Sequence, residues 1–353
     1  MKAIVSEVQE LAAGSRAGAG LSCGRALLIL ASTCFLLYFT GLEAFPAIDP
    51  AEGYYVEAAR EMVELGNYIV PYLNDQIYFS KPILTFWLIA FSYKLFGFSE
   101  WAARLPFALL SSLLVFAVFW ATRALSRDSR EGEVPSVRAG LIAGLVLASA
   151  PLLLLVSRTS PVDIAFSVFL CLAVLGTAVS LAGATSYAFL LIYTGLALAL
   201  LAKGPAALLL YGIAAGGFLL VSRPSLKEFF AWLKSLKPLP GALVFLAVAL
   251  PWHYLVYKAT DGLFLKVFFL YENLARFAGH TNMGKMSWWF FIPTILVGFF
   301  PFILLLPQAM KFALGFGRGW RQGEADSLLK RLSHLIMEPA RRIKENERIR
   351  GLA

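Results

Sequence analysis

Residues 83–98 read ILTFWLIAFSYKLFGF, an apolar stretch broken by Lys94. A helix needs about 20 apolar residues to span a bilayer, and about 17 as a lower limit, so this stretch falls just short. Whether it crosses sets the side of every later segment. If it does not cross, the N-terminus, residues 123–138, residues 223–237 and the chain after Lys311 all lie on one side, and together they hold most of the lysines and arginines. If it crosses, the last three change sides. Lys and Arg of short loops stay cytoplasmic, so the first arrangement is preferred and residues 83–98 are expected to form a helix lying at the outer interface.

The rest of the composition agrees with a membrane chain. Of 353 residues 59% are hydrophobic and only 15% are charged, and the mean hydropathy of +0.71 is too high for a soluble domain. The net charge of +9 sits in loops and tail, as expected for anchors at a cytoplasmic membrane surface rather than a nucleic-acid footprint. Candidate spans fall near 26–42, 104–124, 139–157, 162–181, 187–202, 205–221, 241–258 and 288–312. The expected fold is all-α, a polytopic integral membrane protein of about eight transmembrane helices with interfacial helices in the first outer loop. Its membrane domain covers residues 1–312, with the outer loop at 43–103, and residues 313–353 form a basic cytoplasmic tail. The first span follows Lys2, Arg16 and Arg25 as a signal peptide would, but without a small-residue cleavage site before Glu43, so it is taken as uncleaved. Cys23, Cys34 and Cys171 lie in or beside apolar runs and are expected to be inert packing residues.

This topology has a functional consequence. Residues 43–103, the turn 157–161 with Asp163 just beyond it, the turn Lys203-Gly204-Pro205 and the loop 260–287 all face one compartment. Polar groups are costly to place in such a chain, so a concentration of them marks a site. Within the first loop, residues 50–65 have the spacing of an amphipathic helix along the membrane surface. Tyr55, Ala58, Ala59, Met62 and Val63 form one face, and Glu57, Arg60, Glu61 and Glu64 the other. Asp49 as N-cap, Pro50, and Glu52 three residues on make a capping-box-like start, and Gly66 ends the helix.

The outer-face candidates are Asp49, Glu52, Lys81, Asp163, Lys203, Glu272, Arg276 and His280. Carboxylates beside several cations suit a reaction in which an acid group takes a proton from a hydroxyl nucleophile while Lys and Arg hold a departing phosphate. Each also has a structural alternative. Asp49 and Glu52 suit helix capping, Lys81, Lys203 and Arg276 suit snorkelling to headgroups, and Asp163 suits a helix start after Pro161. One loop histidine, His280, has no second ligand at short spacing, so no metal site and no cofactor are called. Tyr54, Tyr55, Tyr72, Tyr78, Trp87, Trp101, Trp288 and Trp289 suit an interface belt, and some of them, Tyr55 included, suit the wall of a groove for an isoprenoid chain.

The stretches PAEGYYVEAAREMVELGNYIVPYLNDQIYFSKP, FGFSEWAARLP, PVD at 161–163, LAKGP at 201–205, ENLARF at 272–277 and the later WWFFIP resemble, in order, loops of the polyprenyl-phosphate-sugar-dependent transferases of the membrane-embedded C-type glycosyltransferase fold. That group includes the bacterial aminoarabinose transferases of lipid A and, more distantly, the protein O-mannosyltransferases. The resemblance implies transfer of a sugar from a polyprenyl-phosphate donor to a lipid, glycan or protein acceptor. It further implies inverting single displacement, in a multi-pass protein of a bacterial inner membrane with its loops facing the periplasm. It matches Glu52 to the second residue of the family's Asp-Glu pair, Lys81 to the Lys of Phe-Glu-Lys-Pro and Asp163 to the acid of the second outer loop. Lys203 matches the Lys of the Lys-Gly turn, and Arg276 the Arg of the Arg-Phe pair.

Three positions depart from the pattern: Ala51 replaces the first acid of the pair, Ser80 the Glu of Phe-Glu-Lys-Pro, and Tyr54 an Arg common after the pair. The base is therefore expected from Asp49, Glu52 or Asp163. Relatives continue with further spans, so the chain is expected to be a divergent, C-terminally short member. The alternatives are a non-catalytic member or a transporter, and spans nearly free of charge count against the transporter.

Overall fold

A computed structural model describes residues 21–46, 50–128, 134–159, 162–183, 185–275 and 288–313. The protein is a helical, polytopic membrane protein. With no water in the hydrocarbon to pair backbone N–H and C=O groups, helices that satisfy them internally are the available solution for such apolar runs.

The chain enters as α1 (Cys23–Cys34), continued by a π-helical turn at Phe35–Phe39. It then forms α2 (Pro50–Glu64), a hairpin of β1 (Tyr72–Leu73) and β2 (Gln76–Ile77), and α3 (Leu84–Phe96). After these come α4 (Glu100–Leu125), a second short hairpin of β3 (Arg127–Asp128) and β4 (Val134–Pro135), α5 (Val137–Ala148) and α6 (Pro151–Ser157). The second half holds α7 (Val162–Leu181), α8 (Ala188–Lys203), α9 (Ala206–Ser222), α10 (Leu226–Ser235) and α11 (Pro238–Ala259). It closes with α12 (Leu263–Lys266), a π-helical turn Val267–Ala275, α13 (Phe291–Gly298) and α14 (Leu306–Ala313).

Among the described residues, α4, α7 and α11 are long and apolar enough to cross a membrane as single helices. The expected spans at 139–157 and 288–312 are not straight. Pro151 follows Ala150 in extended backbone, and the α5–α6 pair bends by 65° there. The later segment bends by 100° between Phe291–Gly298 and Phe302–Ala309. A hydropathy window sees continuous apolar sequence at both places and is blind to the break. Within residues 83–98 the short α3 covers Leu84–Phe96, and the expected spans at 26–42, 187–202 and 205–221 are likewise apolar helices of 10–17 residues.

Small residues let the helices approach closely, the usual means of packing where lipid tails compete for apolar contact. A Cβ on Gly195 of α8 would stand 2.7 Å from the Phe169 carbonyl oxygen of α7, and one on Gly140 of α5 2.7 Å from that of Phe119 in α4. Ser22, Ser99 and Ser136 cap α1, α4 and α5 by accepting from the N–H groups of Arg25, Ala102 and Ala139. Gly66, with φ +64°, ends α2 as expected.

The polar face assigned to α2 needs one correction. Ala58, Ala59 and Met62 are fully buried as expected, but so, very nearly, is Glu61. Its carboxylate accepts from Asn74 N–H at 2.6 Å and Asp75 N–H at 3.4 Å. Those residues form the two-residue turn between β1 and β2, with φ of 53° and 61°, values that asparagine and aspartate tolerate. The turn supplies donors that a helix periodicity cannot reveal.

Candidate active site

The sequence candidates assemble in three groups. In the first, Glu52 in the first turn of α2 meets Arg104 of α4, both nearly fully buried. Arg104 Nε donates to Glu52 Oε1 at 2.8 Å and Nη2 donates to Oε2 at 3.1 Å. The remaining donors reach the carbonyls of Leu42 and Phe45, each at 2.7 Å, and of Pro46 at 3.3 Å. A cleft of about 190 Å³ lies beside this pair, lined by Val56, Tyr93, Ser99 and Glu100 as well. Its lining does not include Lys81, Asp163 or Lys203. Arg104, which holds Glu52 in place, is not among the sequence candidates. Its signal was a lone arginine at the start of an apolar span, where an unpaired cation is expensive.

In the second group, the Lys203 ammonium, in the last turn of α8, donates to the Asp163 carboxylate in the first turn of α7. The Asp163 side chain is 61% exposed and that of Lys203 37%. Ion pairs this open contribute about 0–1 kcal/mol, so stability does not account for them. Lys203 also lies 5.4 Å from the centre of the Phe166 ring.

In the third group, Lys81 Nζ donates to the Ser80 carbonyl and to Ser80 Oγ, both at 3.2 Å. The Ser80 hydroxyl points to Glu272 Oε2 at 3.5 Å. The first outer loop and the π-helical turn after α12 therefore meet at Ser80, although 192 residues separate Ser80 from Glu272.

An aromatic wall joins the second and third groups. Phe79 lies 5.6 Å from Phe264, and Phe264 6.3 Å from Phe268. Phe268 packs so closely on Gly204 that a Cβ there would fall 2.5 Å from its ring. Gly204 has φ +99° and turns the chain immediately after Lys203. Only glycine suits both constraints.

Tyr55 is buried, edge-on to Tyr78 and Phe86 at 6.5 and 6.1 Å. It secures α2 to the segment leading into Ser80 and Lys81. Trp87, expected in an interface belt, instead donates to the Tyr68 carbonyl at 2.7 Å, and Trp252 to that of Ile69 at 2.9 Å. Asp49, Arg276, His280 and the tail 314–353 lie outside the described residues. Among those described, no three His, Cys, Asp or Glu side chains gather as metal ligands do.

Residues 80–255 match the model of the dolichyl-phosphate-mannose-protein mannosyltransferase family. The undecaprenyl phosphate-alpha-4-amino-4-deoxy-L-arabinose arabinosyl transferase of Enterobacter sp. (strain 638) is 27% identical over 85% of this chain and 51% of its own length. Transferase 1 of the same name from Sodalis glossinidius is 30% identical over 86% of this chain and 51% of its own. The crystal structure of ArnT from Cupriavidus metallidurans bound to undecaprenyl phosphate superposes with a TM-score of 0.71 at 23% identity, covering 89% of this chain and 55% of that one. The apo form gives 0.70. The chain thus spans about half the length of the curated relatives it matches.

Proposed function

We propose that this chain, a member of the membrane-embedded C-type glycosyltransferase family, moves a sugar from a polyprenyl-phosphate donor to a hydroxyl or phosphate acceptor on a lipid, glycan or protein. The site lies at the non-cytoplasmic face of a bacterial inner membrane. The observation that carries the reading is the meeting of Asp163 with Lys203, joined through Phe264 and Phe268 to Lys81, Ser80 and Glu272. Acids and cations from four distant segments converge there with too little burial for a purely structural role. The sidedness rests on the basic loops, which favour the cytoplasm.

In this mechanism the acceptor oxygen attacks the anomeric carbon from the face opposite the phosphate. The bond between that carbon and the phosphate oxygen breaks, polyprenyl phosphate departs with its electron pair, and the acceptor proton passes to a carboxylate. Asp163 is the better placed acceptor of that proton, because both oxygens of Glu52 already bind Arg104. Donor phosphate draws Lys203 away from Asp163, which exchanges one anion for another and leaves the carboxylate facing the acceptor. Lys81 adds a second cation to the cradle, a role that the family resemblance also gives to Arg276. Ser80 stands where relatives carry a glutamate, and Glu272 approaches it from the other loop, so a carboxylate is retained near Lys81.

The test is to incubate the purified protein with defined polyprenyl-phosphate sugars and acceptors and measure release of free polyprenyl phosphate. Acceptor-dependent release supports the reading. No release with any donor, from protein that folds and binds polyprenyl phosphate, supports a non-catalytic member, the alternative favoured by Ala51 and Ser80.

A further inference from the structure

The cleft of about 190 Å³ beside Glu52 and Arg104 is not used by the proposed reaction. It is small against the roughly 300–1,000 Å³ of ordinary ligand pockets, so it suits a small group rather than a whole sugar donor. Ser99 and Glu100 on its wall open α4, a helix long enough to cross the membrane. The cleft therefore sits where a span leaves the hydrocarbon, at the level of headgroups.

The charges around it come first. Glu52 is neutralised by Arg104, which binds both of its oxygens. Arg60 on the same helix as Glu52 is held by Glu57 and Glu64. Glu100 is exposed and enters no ion pair among the described residues. A first-turn acid suits the N-terminus of α4, so Glu100 alone marks no site.

Tyr93 supplies the second observation. Only 5% of it is exposed, and its hydroxyl has no hydrogen-bond partner among the described residues. The Thr85 and Ser92 hydroxyls of the same helix are also unpaired but sealed from solvent. That of Tyr93 is not sealed, and the surface on which its side chain opens is the cleft. A phenol turned into an opening rather than onto a neighbour is placed to meet a ligand. The carboxylates of Glu100, Glu57 and Glu52 all act on that hydroxyl, Glu100 the most strongly of the three, so a positively charged group is favoured beside it. Phe98 packs edge-on to Tyr93 at 5.1 Å and is itself half-exposed, as an aromatic side chain at the membrane interface is.

We propose that this cleft between α2, α3 and α4 is a subsite for the primary ammonium of an ethanolamine-type phospholipid headgroup, which donates to the Glu100 carboxylate and the Tyr93 hydroxyl. A quaternary ammonium carries the same charge but has no N–H to donate, so it makes neither bond. The site is independent of the sugar-transfer reading.

The test presents the purified protein in detergent with equimolar phosphatidylethanolamine and phosphatidylcholine of identical acyl chains, and native mass spectrometry counts the lipid retained. Wild type is expected to retain the ethanolamine lipid about tenfold more, the ratio that one hydrogen bond to a charged group supplies. The double variant Tyr93→Phe/Glu100→Gln, which keeps the ring and the Ser99 cap, should bring the ratio near one. Val56→Phe, which fills the cleft without altering a polar group, should do the same. Equal retention of the two lipids by wild type overturns the site, and so does a preference that survives in the double variant. Displacement of the bound lipid by an equal concentration of free ethanolamine, or of a donor whose sugar bears an amine, assigns the subsite to that amine and overturns the lipid as its occupant.

Discussion

Arg104 gives all five of its N–H donors to two places at once, binding both oxygens of Glu52 and the carbonyls of Leu42, Phe45 and Pro46. The end of the first span, the start of α2 and the start of α4 are thereby held by one planar group. Removing one partner of such a buried pair costs about 3–5 kcal/mol, because the other charge is left without compensation. Arg104→Ala and Glu52→Gln are expected to lower the thermal unfolding midpoint in detergent strongly. Arg104→Lys, lacking the fork, should recover little of it. The double variant Glu52→Leu/Arg104→Met should be more stable than either single loss, since no buried charge remains. If Arg104→Ala unfolds at the wild-type temperature, the pair is not what fastens the loop.

Asp163 and Lys203 should behave in the opposite way. Their pair is exposed, so Asp163→Asn and Lys203→Met are expected to change stability by less than about 1 kcal/mol. Loss of the proton acceptor should lower turnover by about 10²–10⁴-fold, and loss of the phosphate-facing cation by about 10²–10³-fold. Polyprenyl phosphate affinity should fall in Lys203→Met and not in Asp163→Asn. Turnover unchanged in both variants would remove this pair from the reaction.

Gly204 joins the two elements of the site, and its replacement separates conformational strain from crowding. Gly204→Ala places a Cβ 2.5 Å from the Phe268 ring on a backbone with φ +99°, a region that costs side-chain-bearing residues about 1–3 kcal/mol. Phe268→Ala in the same chain relieves the steric share only. The double variant should therefore remain less stable than Phe268→Ala alone, by thermal unfolding in detergent. Equal midpoints would show that the turn relaxes without penalty.

What the sequence made legible follows the reach of each signal. Charge bias and apolar length give the helical class and assign the segments of Asp163, Lys203, Lys81 and Glu272 to one expected side, because these signals depend on each segment's own composition. The break before Pro151, the inward turn of Glu61 and the pairing of Arg104 with Glu52 were not legible. Each depends on a partner distant in the chain or on backbone direction, and hydropathy averages over both. Glu61 is the clearest case: its helical position marks it as outward, and only the donors of Asn74 and Asp75 explain why it is buried.

The amphipathic α10 offers a prediction in pH. Ser225 caps the helix by accepting from Glu228 N–H at 3.3 Å, while the Glu228 carboxylate accepts from Ser225 N–H at 2.8 Å and from its hydroxyl at 2.8 Å. Those bonds, the backbone one first, hold the Glu228 carboxyl below the usual glutamate range. A carboxylate whose value is lowered by folding favours the folded helix while ionised. That contribution is whole above the ordinary glutamate range and is lost as pH falls through the lowered value. Hydrogen exchange of residues 226–235 should therefore show protection that declines on acidification in the wild type. Ser225→Ala, which removes the cap, should cost about 0.5–2 kcal/mol of local protection at neutral pH. Glu228→Gln keeps an acceptor but not the charge, so its protection should start lower and stay flat across the same acid range. Should wild type and Glu228→Gln decline in parallel, the acid sensitivity of α10 belongs to another group.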